Sequence, residues 1–283
     1  MAGSRQSALF QHFLPDRGQR AFVWKYSQSI GGRRPRHFHD EPELNVVVRG
    51  SATFAVGEGV VVASAGDLLA FPSGQDHELL AGSPDLYLYA LGLDPVYAAE
   101  ALGARAEPVM PLHVRLDERE FAAVLERAAR IVDQRSVHQL GAELWQRIDW
   151  LGRRAAAGAS RRTHVLTRRA LKLMALAPEL GLDALAQELE VQASEISRHF
   201  HRDMGMTLVR YRMRSRLLDL IRYMDSGERD LMAAATAVGF GSYSQCHRTF
   251  QSELGCAPRQ FFSSGLREQM QLTYSPEDGA ANG

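Results

Sequence analysis

The spacing of apolar positions changes part-way along this chain. Before about residue 95, short apolar runs of strand length occupy 22–26, 44–48, 52–56, 60–63, 67–71 and 86–91, separated by Gly, Pro, Asp and Ser. Many short strands at such intervals predict a barrel or a double-sheet sandwich. From about residue 117 the period becomes helical. Phe121, Val124, Leu125, Ala128, Ile131 and Val132 form one stripe; Leu140, Leu144, Ile148 and Leu151 form a second, with Trp145 and Trp150 beside it. Two such helices joined by a short turn predict an antiparallel hairpin. Further on, Ile196, Phe200 and Met204, and again Cys246, Phe250 and Leu254, recur at i, i+4, i+8, which marks the buried faces of two more helices.

Those last two helices are versions of one segment. S-E-I-S-R-H-F-H-R-D-M-G starts at Ser194 and S-Q-C-H-R-T-F-Q-S-E-L-G at Ser244, and self-similarity at such a distance points to a repeated structural unit. The polar face of the first carries Ser194, Ser197, Arg198 and His201; that of the second carries Ser244, His247, Arg248 and Gln251, with Tyr243 just ahead of it. Each helix meets a stop signal at a glycine, Gly205 or Gly255. An apolar helix precedes each, through Glu190-Val191-Gln192 in the first case and Gly239-Phe240-Gly241 in the second. The pattern is helix, turn, helix, twice. A merely solvated face accepts any polar residue, whereas here Arg recurs at one offset with Ser four places before it. Arginine suits guanine O6 and N7, or phosphate. Ser194, Ser197, Arg198, His201, Tyr243, Ser244, His247 and Arg248 are therefore the candidate DNA-binding residues.

Residues 161–267 resemble the DNA-binding domain of the AraC/XylS family of transcription regulators. The resemblance rests on Leu185-Ala186 and Ile196-Ser197-Arg198-His199-Phe200 in the first unit. In the second it rests on Val238-Gly239-Phe240, Ser244, Arg248, Phe250, Gly255 and Pro258, and between the units on Tyr211 and Arg216-Leu217. Ala234 stands where the family usually has a larger aliphatic and Cys246 where it usually has an aromatic, both at packing positions. In regulators of this kind the helical hairpin forms a dimer interface, so the resemblance implies a homodimer.

Charge agrees with the placement. The net charge is zero, yet residues 161–267 hold 16 basic against 11 acidic side chains, while 1–160 hold 17 against 19 and the tail from 268 only 3 acidic. The modest basic excess falls on the repeat, where a phosphate-binding module needs it. The two cysteines, Cys246 and Cys256, sit at a buried helical position and beside a helix cap, which argues for reduced thiols and against a disulfide framework. The first residues lack a continuous apolar stretch, and no segment reaches about 18 uninterrupted apolar residues, so a cytoplasmic protein without a membrane partner is expected.

The strand-rich half holds a second pattern. Gly31-x5-His37-x-His39-x3-Glu43-x6-Gly50 is followed by Gly66-x5-Pro72-x-Gly74-x2-His77. His37 and His39, two apart on a strand, would face one way. A turn or bulge at Asp40-Glu41-Pro42 would return Glu43 to that face, and His77 would come from a separate strand. Three imidazoles and a carboxylate could hold one divalent transition metal with open positions. Without thiolates the set does not choose among zinc, iron, manganese, nickel and copper. The alternative is a polar wall contacting a small effector directly, with Phe22, Trp24, Tyr26, Tyr87 and Tyr89 as candidate lining residues, although strand aromatics are more often core. The pattern resembles both motifs of the cupin superfamily over residues 15–95, departing at Ala81 where the second motif often ends in asparagine.

The expected fold is α+β. A cupin-like β-barrel sensor domain occupies 1–110, a helical hairpin and linker 111–160, and an all-α domain with two helix-turn-helix units 161–267, followed by a disordered tail over 268–283. The expected function is sequence-specific transcription regulation in response to a small-molecule or metal effector, with double-stranded DNA as partner and RNA polymerase too if the protein activates. Two alternatives stand beside it. One is a metal-dependent cupin enzyme, a dioxygenase or isomerase, carrying a DNA-binding domain; the other is a constitutive DNA-binding protein whose barrel only dimerises. No nucleophile triad, carboxylate pair or phosphate loop argues for other catalysis, so an enzyme is not expected.

Overall fold

A computed structural model describes residues 9–11, 21–27, 36–96, 112–130, 143, 150, 163–263 and 265. The second helix of the expected hairpin, the linker over 155–162, Gly31 and the tail from 268 lie outside the described residues. The strands are β1 Leu9–Phe10, β2 Ala21–Ser27, β3 His37–Phe38, β4 Glu43–Arg49, β5 Ser51–Val56, β6 Gly59–Ser64, β7 Asp67–Phe71, β8 His77–Gly82, β9 Tyr87–Leu93 and β10 Leu112–Arg115. They form two five-stranded sheets, ordered β1-β3-β8-β5-β6 and β10-β7-β4-β9-β2, in which only β1 and β3 run parallel. The expected barrel is thus closed by packing between two sheets and not by a continuous ladder of hydrogen bonds.

The side chains show why. Along β4 and β7, successive residues point to opposite faces. Val47, Leu69 and Phe71 join Ala52, Phe54 and Ala63 of the other sheet in a core between the two, whereas Val46, Leu68 and Ala70 join Leu91 and Val114 in a second core on the far side. Burial on both faces is what makes Asp67–Phe71 read as an almost unbroken apolar run. The outer core is covered by helix α1, Glu118–Ala129, through Val124 and Ala128. Its start is fixed by a capping box in which Asp117 accepts from the Glu120 N–H at 2.7 Å and Glu120 reaches back to Asp117. Tyr89 lies in this outer core with Tyr87 against it, so these two line the sheet beneath α1 and not the space around the histidines.

The helical half comprises α2 Val165–Leu176, α3 Leu182–Leu189, α4 Ala193–Met204, α5 Leu208–Asp225, α6 Leu231–Ala237, α7 Tyr243–Leu254 and α8 Pro258–Ser263. Each helix-turn-helix unit has its own core. Leu185, Ala186, Ile196, Phe200 and Met204 close the first with Ala170 and Leu171 of α2; Ala234, Phe240, Cys246, Phe250 and Leu254 close the second with Leu217 and Ile221 of α5. Both departures from the family pattern, Ala234 and Cys246, are fully buried here, and burial pushes the Cys246 thiol up to about 11. The glycines end their helices as expected: Gly205 and Gly255 adopt φ of 62° and 71°, where a side chain would be strained. Among the described residues no helix is long and apolar enough to cross a membrane.

Candidate functional site

The strand β3 ends at Phe38, so His37 and His39 do not share a strand, yet the bend at Asp40 and Glu41 still brings Glu43 back beside them. His37 is in direct register with His77 across β3 and β8. The candidate ligand nitrogens of His37, His39 and His77 lie within 4.8 Å of one another, all buried. Glu43 sits against them: its Oε2 is 2.9 Å from His39 Nε2 and 3.2 Å from His77 Nε2. All four residues expected to form this site are brought together.

Neighbouring groups set the orientation of the imidazoles. His39 Nδ1–H donates to the Glu41 carbonyl at 2.6 Å and His77 Nδ1–H to the Gln75 carbonyl at 3.0 Å, so both rings turn Nε2 toward Glu43. Carbonyls commonly fix metal-binding histidines in this way. Despite its distance from Glu43, His77 Nε2 is not aligned for a hydrogen bond and has no hydrogen-bond partner among the described residues. Asn45 Nδ2–H donates to Glu43 Oε1 at 2.7 Å, and the Phe71 ring stacks on His77 at 4.5 Å. Sequence reasoning missed both residues, although Asn45 follows Glu43 by two positions on one strand and so shares its face.

Burial by itself would lower the His39 pKa, but the hydrogen bond and charge of Glu43 outweigh it and hold His39 above its ordinary value. Burial likewise pushes Glu43 up, and His77 and His39 pull it well below the usual carboxylate range. The site is thus a buried carboxylate that gathers positive charge. Three nitrogens and one oxygen fit a divalent transition metal, which would take the place of the proton on His39. The same set also suits a small polar molecule that accepts from imidazolium.

In the helical half, the expected faces are outward. Ser194, Arg198 and His201 on α4 and Ser244, His247 and Arg248 on α7 are exposed, with Ser197 and Tyr243 half-buried. The Arg198 side chain is 70% exposed, with Glu195 no closer than 4.0 Å, so it remains available to a partner. Ser242 caps α7 by accepting from the Gln245 N–H, which leaves Ser244 clear of capping duty. His201 differs from the rest: its Nε2 lies 3.2 Å from a carboxylate oxygen of Glu58 in the strand-rich half. Sequence spacing gave no sign of that contact.

Two family descriptions match the chain in the same order as its two halves: an AraC-like ligand binding domain over residues 26–148 and a helix-turn-helix domain over 185–264. The chain belongs to the AraC family. As a member, it is a DNA-binding transcription regulator with an N-terminal ligand-binding domain. Relatives of this AraC-family chain include an uncharacterized HTH-type transcriptional regulator, YdeC of Bacillus subtilis, 23% identical over 83% of this chain and 88% of that protein. The HTH-type transcriptional activator RhaS of Salmonella typhimurium is 24% identical over 80% of this chain and 86% of its own. Among solved structures, fatty-acid-bound ToxT from Vibrio cholerae aligns with 88% of this chain and 96% of its own at 14% identity and a TM-score of 0.43.

Proposed function

We propose that this AraC-family regulator senses its effector at His37, His39, Glu43 and His77, and that the site takes one divalent transition metal, alone or with a small polar ligand in its open positions. The observation that carries this reading is His77 Nε2: buried, without a hydrogen-bond partner, and aimed at a carboxylate already shared with His39. Left empty of an ion, a buried polar atom in that position is costly. When bound, the metal supplies a fixed positive charge. His39, His77 and His37 would hold it by nitrogen and Glu43 by oxygen, while Asn45 keeps the second carboxylate oxygen turned aside.

DNA is read, on this proposal, by the outer faces of α4 and α7: Ser194, Ser197, Arg198 and His201 in the first, Tyr243, Ser244, His247 and Arg248 in the second. The sensor then spans 1–110 and the DNA-binding domain 161–267. Helix α1 spends its apolar stripe on its own sheet, so a homodimer would form through the second hairpin helix within 111–160. The activator among the relatives makes RNA polymerase the expected protein partner. Elemental analysis and a thermal-shift series with Co²⁺, Ni²⁺, Zn²⁺ and Mn²⁺ test the sensor reading. About one ion per chain is expected, lost in His39→Ala, and binding to the native state alone raises Tm. A metal-free protein whose Tm responds to none of the four ions overturns the metal reading and leaves the polar-effector pocket.

A further inference from the structure

The loops that carry the histidine site also carry the joint between the two halves. Directly after His39 comes Asp40, whose carboxylate receives Arg222 Nε at 3.0 Å and Nη2 at 2.8 Å. Directly before His77 comes Asp76, 2.9 Å from Arg214 Nη1, which also donates to the Gly74 carbonyl at 2.8 Å. Both arginines belong to α5, the helix that links the two helix-turn-helix units, and their guanidinium groups meet the strand-rich half from one broad side of it.

Each unit is fastened as well. At the first, the turn between β5 and β6 reaches the end of α4: the Glu58 N–H donates to the Gly205 carbonyl at 3.0 Å and the Glu58 carboxylate faces His201. The approach is possible only between glycines, because a Cβ on Gly57 would lie 2.7 Å from Gly205 Cα. The Gly57 N–H donates in turn to the Asp76 carbonyl at 3.0 Å, which ties this turn to the histidine loop. At the second unit, Phe10 and Phe38 enter the core formed by Phe250, Leu254 and Phe261, with ring centroids 5.8 Å apart for Phe10–Phe38 and 5.9 Å for Phe10–Phe261.

We propose that these contacts are a latch: the arrangement described here is a closed state of low DNA affinity, held by Asp40–Arg222, Asp76–Arg214 and the Gly57–Glu58 turn. Two physical reasons give the closed state its weakness. Glu58 places a negative charge on the α4 face and engages His201, where duplex phosphates would otherwise be attracted. The sensor, not the DNA, also sets how the two units stand relative to each other. Because Asp40 and Asp76 are each covalently next to a histidine of the effector site, a ligand that shifts those loops shifts the latch, and DNA must shift ligand affinity in return. The proposal rests on the assignment of the α4 and α7 faces to DNA.

The test uses the full chain and a mixed-sequence duplex of roughly 30 base pairs, about three helical turns, followed by fluorescence anisotropy at one fixed salt concentration. Asp40→Asn with Asp76→Asn removes the acids that face α5, and Gly57→Asn keeps a left-handed turn while forcing the tip away from Gly205. Each variant should bind the duplex at least about tenfold tighter than the parent, equivalent to about 1.4 kcal/mol. Hydrogen exchange should rise in residues 72–77 and along α5 while the α3–α4 core stays protected. If the double variant fails to fold, Gly57→Asn, which leaves both aspartates in place, decides. Folded variants that bind no tighter than the parent overturn the latch. Arg198→Ala and Arg248→Ala made in the open background separate the underlying assignment: tighter binding by the latch variants that neither arginine affects would move the DNA face elsewhere and leave the latch standing.

Discussion

Replacing Arg214 by methionine should destabilise the protein by about 3 kcal/mol, at the low end of what breaking a buried ion pair costs. Arg214 has no solvent exposure and is the largest fully buried side chain among the described residues. Its guanidinium donates to Gly74, Asp76 and Glu253, with Nη2 to Glu253 Oε2 at 2.6 Å, and lies 4.2 Å over the ring of Phe38. Methionine fills much of that volume but leaves two buried carboxylates without it. Neither is abandoned: Arg36 still pairs with Asp76, and Arg210 Nε still meets Glu253 at 2.9 Å. That residual compensation is why the low end applies and not about 5 kcal/mol. Adding Asp76→Asn and Glu253→Gln to Arg214→Met removes both stranded charges and should recover most of the loss. Arg214→Lys should fall between, because an ammonium cannot address two carboxylates and a carbonyl in one plane. Urea unfolding of the full chain, with hydrogen exchange over residues 72–77, measures all three. A loss under about 1 kcal/mol for Arg214→Met, or a triple variant no more stable than the single one, would show that the charges do not hold the halves together.

Arg198→Ala and Arg248→Ala should each cost about 1 to 3 kcal/mol at a selected DNA site and relax base preference at one position, if each arginine is bidentate to guanine. Equal loss on selected and random duplexes would make them phosphate contacts instead. Glu253 gives a pH test: burial pushes its carboxyl up, but Arg214 and Arg210 outweigh burial and hold it below the usual range. Its contribution to stability is therefore complete above the unfolded value of about 4.3 and is lost as pH falls through the lower folded value. Glu253→Gln should flatten the acid side of a Tm profile taken between about pH 3 and pH 7; an unchanged acid limb in that variant would refute the assignment.

Periodicity and turn chemistry made much of this protein legible before any coordinates. The α4 and α7 helices, their buried triplets and their Gly205 and Gly255 stops follow from local rules, because a helix repeats every few residues and a glycine cap answers to its own φ. The strands from β2 to β9 were legible for the same reason, to within a residue or two where a run of Val, Leu and Phe was unbroken. So was the set His37, His39, Glu43 and His77, although its geometry came from a bend after Phe38 and not from two histidines on one strand.

What joins the halves obeys no local rule. Arg214 and Gly74 meet across 140 positions, Arg222 and Asp40 across 182. In the sequence each arginine is one basic residue on a helix rich in them, and each aspartate is a polar residue in a loop. Phe10 and Phe38 similarly read as strand aromatics, yet they complete a core built by helices more than two hundred residues away. Local spacing fixes which face of an element is apolar or charged; it does not fix which distant surface will cover that face. That choice is made only when two surfaces meet and exclude water, which is why the sequence located the sensor and the DNA-binding helices, and tertiary packing alone decided that Asp40, Asp76 and Glu58 would hold one against the other.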